Sequence, residues 1–321
     1  MATISLSMAC DAPSLGPLVD GTVQVPDVDL RIEQVQPEQR HHKMLHDLAY
    51  DVCEYSSINY LSDWHAGLPF TAIPVFPYRT FRHRDIWVSR ASGVTDPQQL
   101  SGKRVGLQSW ANSAALWQRG ALQHDHAVDL GSVEWVTNLP EGPGFKRPEW
   151  LRFSRRPEGR TLDQMVAAGE LDAMMVPWPA RFTPEESERV QRLFPDYVTA
   201  EQAYFERTGA FPIMHIVVVK NSVLDEHPGI AERIFDGLRR AMETYVERGR
   251  AADAPSPIWR GLSWREQESR MGPNPWPSGL NANRATLQTV VTYAQEQGLL
   301  AEAPELEQLF QYQGRPLAGV N

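Results

Sequence analysis

The sequence predicts an α/β protein of two lobes, and three observations carry that expectation. At 321 residues the chain is long for a single hydrophobic core. Short β-branched or aromatic runs alternate along it with segments of helical period, which is the order of strands and helices in α/β folds. Residues 74–83 and 211–215 each set a histidine at the mouth of such a run, formed by Ile86, Trp87 and Val88 in one case and by Ile216, Val217, Val218 and Val219 in the other. The block between them has strand and helix signals of its own. A chain that leaves one lobe and returns to it by two strands makes a hinge. The expected lobes are residues 1–90 with 212–321, and residues 91–211, with a ligand cleft between them.

The elements follow in order. Residues 3–10 read as a strand. Residues 37–48 read as a helix, with Met44, Leu45 and Leu48 on one face and Pro37 at the first position, where a missing amide costs nothing. A short strand follows at 50–53, and Glu54, Tyr55, Ser56 and Ser57 read as a polar loop at its carboxyl end, where open α/β sheets meet their ligands. Strands are expected at 69–76 and 84–89. Beyond them come a short helix from Pro97, a turn at Gly102 and a strand through Val105 and Leu107. Ser109, Asn112 and Ser113 are cap residues for a helix over 114–122, and free amides at such a start favour an anion. A strand at 133–137, a Pro/Arg-rich loop at 140–160, a helix at 162–168 and a strand at 171–176 complete the inner block. Residues 211–220 form the returning strand. Helices are expected at 231–247 and 284–297, the second stopped by Gly298, with a turn-rich link over 271–279.

Composition narrows the function. A hydrophobic content of 42% and a charged content of 22% are ordinary for a globular protein, while a formal net charge of -9 disfavours nucleic acid and anionic membranes as partners. Cys10 and Cys53 are too few for a disulfide scaffold and read as small buried residues. Residues 1–6 hold no basic region leading into a long apolar stretch, so no signal peptide is expected and the location expected is cytoplasmic. No apolar run is long enough to span a membrane. Glycine-rich dinucleotide and phosphate loops, the serine-hydrolase elbow and the zinc-protease helix motif are all missing.

Several segments, spread in order over nearly the whole chain, carry a resemblance. They are residues 73–77 (Ile-Pro-Val-Phe-Pro) with 81–83 (Phe-Arg-His), 103–106 (Lys-Arg-Val-Gly), 117–120 (Trp-Gln-Arg-Gly) and 169–173 (Gly-Glu-Leu-Asp-Ala). Further on come 193–195 (Leu-Phe-Pro), 211–215 (Phe-Pro-Ile-Met-His), Trp276 with Pro277 and Gly279, and Asn283 with Arg284. In these the chain resembles the 4,5-dihydroxyphthalate decarboxylase family. The resemblance implies a type II periplasmic-binding-protein-like fold, with mixed sheets flanked by helices and two lobes joined by crossing strands. It also implies a lyase that releases CO2 from a hydroxylated benzoate-type acid without an organic cofactor. Two features depart from the family pattern: the loop over 9–15 (Ala-Cys-Asp-Ala-Pro-Ser-Leu) and Arg84 after His83. They leave the particular acid open.

Such a reaction needs a proton at the ring carbon, cations for the carboxylates and a hydrogen bond to a phenol. His83 and His215 are the acid–base candidates, since histidine carries protons near neutral pH. Glu54, at the end of an inner strand, is a candidate to orient a histidine or bind the phenol, with a structural role as the alternative. Arg79 and Arg82 suit a bidentate grip on carboxylate, with salt bridges as the alternative. Ser109, Asn112 and Ser113 would hold a carboxylate at the helix start, and Trp110 and Trp178 would stack on the ring. Glu54, His83 and His215 also form a set that a divalent metal would accept, so no cofactor is expected but a metal is left open. His42 with His46 and His124 with His126 read as solvated surface, and the arginines at 152, 155, 156 and 160 as a solvated face or dimer contact, with a lid as the alternative. The expected partner is a small aromatic carboxylate, with a homo-oligomer left open. The rival readings are a binding protein using the same arginines without turnover, and a relative acting on another small acid.

Overall fold

A computed structural model describes residues 3–142 and 145–320. The chain divides into two compact units. The first holds the residues up to Thr80, Phe211–Thr289 and those from Ala303 onward; the second holds Phe81–Ala210 and Val290–Glu302.

The first unit is built on a sheet of five strands in the order β2-β1-β3-β11-β4. These are β1 Ile4–Cys10, β2 Val28–Gln34, β3 Val52–Ser56, β4 Phe70–Ile73 and β11 His215–Lys220. The β2-β1-β3 edge is parallel, and β11 lies antiparallel between β3 and β4. β2 and β3 are joined by the helix Pro37–Asp47, a parallel connection that a hairpin cannot make. That helix buries Arg40 and Met44, four residues apart on one face, and ends on Leu48 in the left-handed region. All five residues of β3 are buried. The helix Ile230–Ala251 covers the unit with Ile234, Leu238, Ala241 and Met242, an i, i+4, i+7, i+8 stripe. Cys10 and Cys53 are free and buried, as small apolar residues are.

The second unit has six strands in the order β10-β5-β9-β6-β7-β8. These are β5 Ile86–Ser89, β6 Arg104–Leu107, β7 Glu134–Thr137, β8 Phe153–Arg155, β9 Ala173–Met175 and β10 Val190–Arg192. The pleat sorts its side chains into two cores. Val105, Leu107, Trp135, Ala173 and Met175 join one cluster, while their neighbours Val136 and Met174 join the other. Gly106 falls in the same alternation, and a Cβ there would come within 2.8 Å of Leu171. Its missing side chain lets the helix Leu162–Ala167 approach the sheet.

Three expectations change. Residues 81–90 pack in the second unit, because β5 pairs with β9 and β10 there; residues 290–302 join it too. Glu54 lies inside a strand, not in a loop after one, since β3 continues to Ser56. The loop expected at 140–160 contains β8, and Pro143 and Gly144 of that stretch lie outside the described residues. Among the described residues no helix is long and apolar enough to cross a membrane.

Candidate active site

A buried charge cluster forms in the first unit where β3 and β11 pair. Their antiparallel register sets Glu54 opposite Val217 and His215 opposite Ser56. Glu54 and His215 are therefore diagonal neighbours on one face of the sheet, within reach of long side chains. His215 Nδ1 lies 2.5 Å from Glu54 Oε1. The other carboxylate oxygen, Oε2, accepts from the backbone amides of Asp11 at 2.9 Å and Ala12 at 3.0 Å, just beyond the end of β1.

Arg40 reaches the same point from its helix. Its Nη2 is 2.8 Å from Glu54 Oε1, its Nη1 is 2.6 Å from Asp11 Oδ1, and its Nε donates to the Glu54 carbonyl at 2.6 Å. Glu54 and Arg40 are both fully buried. Burial alone would raise the Glu54 carboxyl, but the His215 hydrogen bond and charge, the Arg40 guanidinium and the Asp11 amide outweigh it and hold the group at about 2. Asp11 goes the other way: burial and the Glu54 charge raise it above the usual aspartate range, against the pull of Arg40.

The tautomer of His215 follows from this chemistry. An ionised carboxylate only accepts, so Nδ1 must donate to Glu54 Oε1. Arg40 Nη2, 3.1 Å from the same nitrogen, has nothing to donate to there. Nε2 has no hydrogen-bond partner among the described residues, and the side chain keeps 9% of its exposure. It is a positioned imidazole nitrogen with an orienting carboxylate behind it. The His41 and Tyr78 rings pack against it with centroids 5.0 Å away. Burial, with His215 and Arg40 nearby, holds His41 well below the usual imidazole range, so it stays neutral.

A metal fits poorly. Asp11, Glu54 and His215 bring ligand atoms within 4.8 Å of one another. However, Arg40 already bridges the two carboxylates, and the histidine Nδ1 carries the proton that Glu54 accepts. A divalent ion would have to displace a buried guanidinium whose donors are fixed on Asp11, Glu54 and the Val35 carbonyl. His83, the third ligand expected from sequence, belongs to the second unit.

The other expected site residues are spread between the units. Arg79, in the first, is buried with its Nη2 on the Asn283 side-chain oxygen and, at 3.3 Å, the Pro277 carbonyl. Burial lowers it to about 9, so the guanidinium remains charged at neutral pH. No described carboxylate pairs with it. Arg82, in the second unit, is held by Asp85 and the Pro177 carbonyl, both at 3.0 Å. His83 opens a 3₁₀ turn, His83–Asp85, with Phe194 and Tyr204 rings beside it, and burial lowers it to about 4.

Just before the helix start expected to hold a substrate carboxylate, the loop amides hold one of the protein's own. Glu141 accepts from the amides of Trp110 at 2.5 Å and Ala111 at 3.0 Å. Asn112 caps the helix Ser113–His126 by accepting from the Ala115 amide; Ser113 is buried in its first turn and Ser109 lies half-buried just before it. Trp110 is fully buried, stacked under Arg119 at 3.7 Å and donating to the Gln297 carbonyl, so its ring already packs on protein. Trp178 packs against the cluster of Val136, Leu162 and Met174. Arg40, Asp11 and His41 were missed in the sequence. The available signal was Arg40 four residues before Met44, a cation on the apolar face of an amphipathic helix.

Glu201, in the second unit, is buried with, among the described residues, only a long contact from the Arg84 amide, and burial pushes it up to about 8 against the pull of Arg84. The native state then binds this proton between the ordinary value of 4.5 and about 8, while the unfolded chain has lost it. Its contribution is complete below 4.5 and disappears as pH rises through 8. Glu201→Gln should therefore flatten the loss of stability toward pH 8 and gain roughly 2 kcal/mol there. Urea midpoints of both proteins at pH 6 and pH 8 check this; parallel losses would contradict it.

No protein-family model matches the chain. The periplasmic aliphatic sulphonate binding protein of Escherichia coli superimposes with a TM-score of 0.50 at 13% identity, over 99% of this chain and 94% of its own. A Candida albicans protein described as having the generic periplasmic binding protein fold gives a TM-score of 0.52 at 14% identity, over 95% and 93%. The fold is thus that of the periplasmic binding proteins. A 4,5-dihydroxyphthalate decarboxylase of Comamonas testosteroni is 29% identical over 321 residues, 97% of either chain. A second, from Pseudomonas putida, is 35% identical over 192 residues, 57% of this chain and 74% of the relative. The chain belongs to the 4,5-dihydroxyphthalate decarboxylase family, a family of carboxy-lyases.

Proposed function

We propose that the protein decarboxylates a hydroxylated aromatic acid, with His215 as the proton carrier and Glu54 and Arg40 as its positioning residues. The observation that carries this reading is the Glu54–His215 pair, buried, 2.5 Å apart and neutralised by Arg40. A phenol para or ortho to a carboxylate feeds electron density to the carbon that bears it. Protonation of that carbon lets the carboxylate leave as CO2, with the C–C electron pair returning to the ring. One positioned acid supplies about 10²–10⁴-fold; electrostatics and orientation carry the remainder. Arg79 is the candidate for carboxylate recognition, a buried guanidinium with no acidic partner among the described residues. His83 and Arg82 fit better as packing and ion-pair residues, given the aromatic surroundings of the one and the Asp85 contact of the other.

The test is CO2 release by purified, chelator-treated protein from a panel of hydroxylated benzoates and phthalates, beginning with 4,5-dihydroxyphthalate. Turnover that survives chelation is expected. Thermal stabilisation by some acids with no CO2 from any would make the protein a binder instead. Turnover that needs added metal would contradict the Arg40 reading.

A further inference from the structure

The reaction needs a second group, one that takes the hydroxyl proton so that the oxygen can push electrons into the ring, and the cluster contains a residue with the access to do it. Arg40 and Glu54 are sealed, and His215 shows only an edge, but the Asp11 side chain is 28% exposed. Its Oδ1 is held by Arg40 at 2.6 Å, and Oδ2 has no hydrogen-bond donor among the described residues. One oxygen of this carboxylate, one carboxylate oxygen of Glu54 and one ring nitrogen of His215 all lie within 4.8 Å of one another. Its backbone is fixed as well, since the Asp11 amide donates to Glu54. Asp11 is thus a positioned carboxylate with one open oxygen beside a positioned imidazole.

We propose that Asp11 is a catalytic residue whose Oδ2 accepts the proton of the ring hydroxyl while His215 delivers a proton to the ring carbon. The inference rests on the decarboxylase reading above. In the first step the phenolic O–H bond breaks, its proton goes to Asp11, and the oxygen becomes a carbonyl of the dienone. The ring carbon forms a C–H bond with a proton lost by the His215 imidazolium at Nε2. In the second step the C–C bond to the carboxylate breaks, its electron pair restores the aromatic ring, and CO2 leaves. Asp11 returns its proton to the phenoxide, and His215 regains one from water. The net change is one proton consumed and one CO2 released, with no redox partner.

The bland alternative is that Asp11 only balances the charge of Arg40. The two separate on substrate acidity. Turnover of 4,5-dihydroxyphthalate and of ring-fluorinated analogues with more acidic hydroxyls is measured for wild type, Asp11→Asn and Asp11→Glu, with melting temperatures alongside. Asp11→Asn should lose about 10²–10³-fold on the parent acid. The deficit should shrink at least tenfold on the most acidic analogue, whose phenol is already ionised. Asp11→Glu keeps a carboxylate and should keep the weak dependence on acidity seen in wild type. An equal deficit across the series, or a loss below threefold, overturns the role of Asp11 while leaving the decarboxylase reading standing. No turnover by wild type on any member overturns that reading, and the role of Asp11 with it.

Discussion

Replacing Arg40 with methionine should destabilise the protein by about 3–5 kcal/mol, because it leaves two carboxylates facing each other with no cation between them. Glu54 is fully buried, and its low value of about 2 depends in part on the guanidinium. Without Arg40 the charged form of Glu54 keeps its desolvation cost and is left with the His215 hydrogen bond and charge alone among its side-chain partners. The loss should be largest at neutral pH and should narrow as the pH is lowered and the carboxylates protonate. The folded value of Glu54 is depressed from 4.5, so its contribution in wild type is complete above 4.5 and disappears as pH falls toward 2. The double variant Arg40→Met, Glu54→Gln should recover part of the loss, since a neutral pair no longer demands a cation. Urea midpoints at pH 7 and pH 4 for the four proteins of this cycle check the account. A loss below 1 kcal/mol for Arg40→Met, or one that does not change with pH, would contradict it.

The second large effect falls on turnover. His215→Asn keeps an N–H near the position of Nδ1, so the Glu54 carboxylate retains a donor, but it removes Nε2. Stability should change little, while decarboxylation should fall by about 10²–10⁴-fold, the usual contribution of a general acid. A surviving melting temperature is part of the prediction, because a residue that merely held the sheet would lose both together.

Much of the frame was legible in the residues. Val217, Val218 and Val219 announce a buried strand with His215 at its mouth. Glu54 stands out in the sequence for its place beside an inner strand, but its position within β3 is not legible there, because Val52, Cys53 and Glu54 show no alternation in a strand buried on both faces. β2 went unread despite a clear period of two over Val28, Asp29, Leu30, Arg31, Ile32 and Glu33. Arg40 and Asp11 were invisible for a different reason. One lies on a helix and the other just past the end of β1, 29 residues away, and only the parallel packing of β1, β2 and β3 brings them together. The helix start at Asn112 was read correctly as a cap, but a sequence cannot show that a glutamate from another loop already fills the neighbouring amides.

The most direct test of the central claim is proton NMR of the reaction run in D2O with wild type and His215→Asn. Wild type should release CO2 and place one solvent deuteron on the vacated ring carbon, without added metal. The variant should form that product at least a hundredfold more slowly while melting at nearly the same temperature. Equal rates of deuterated product from the two proteins would show that His215 does not carry the proton.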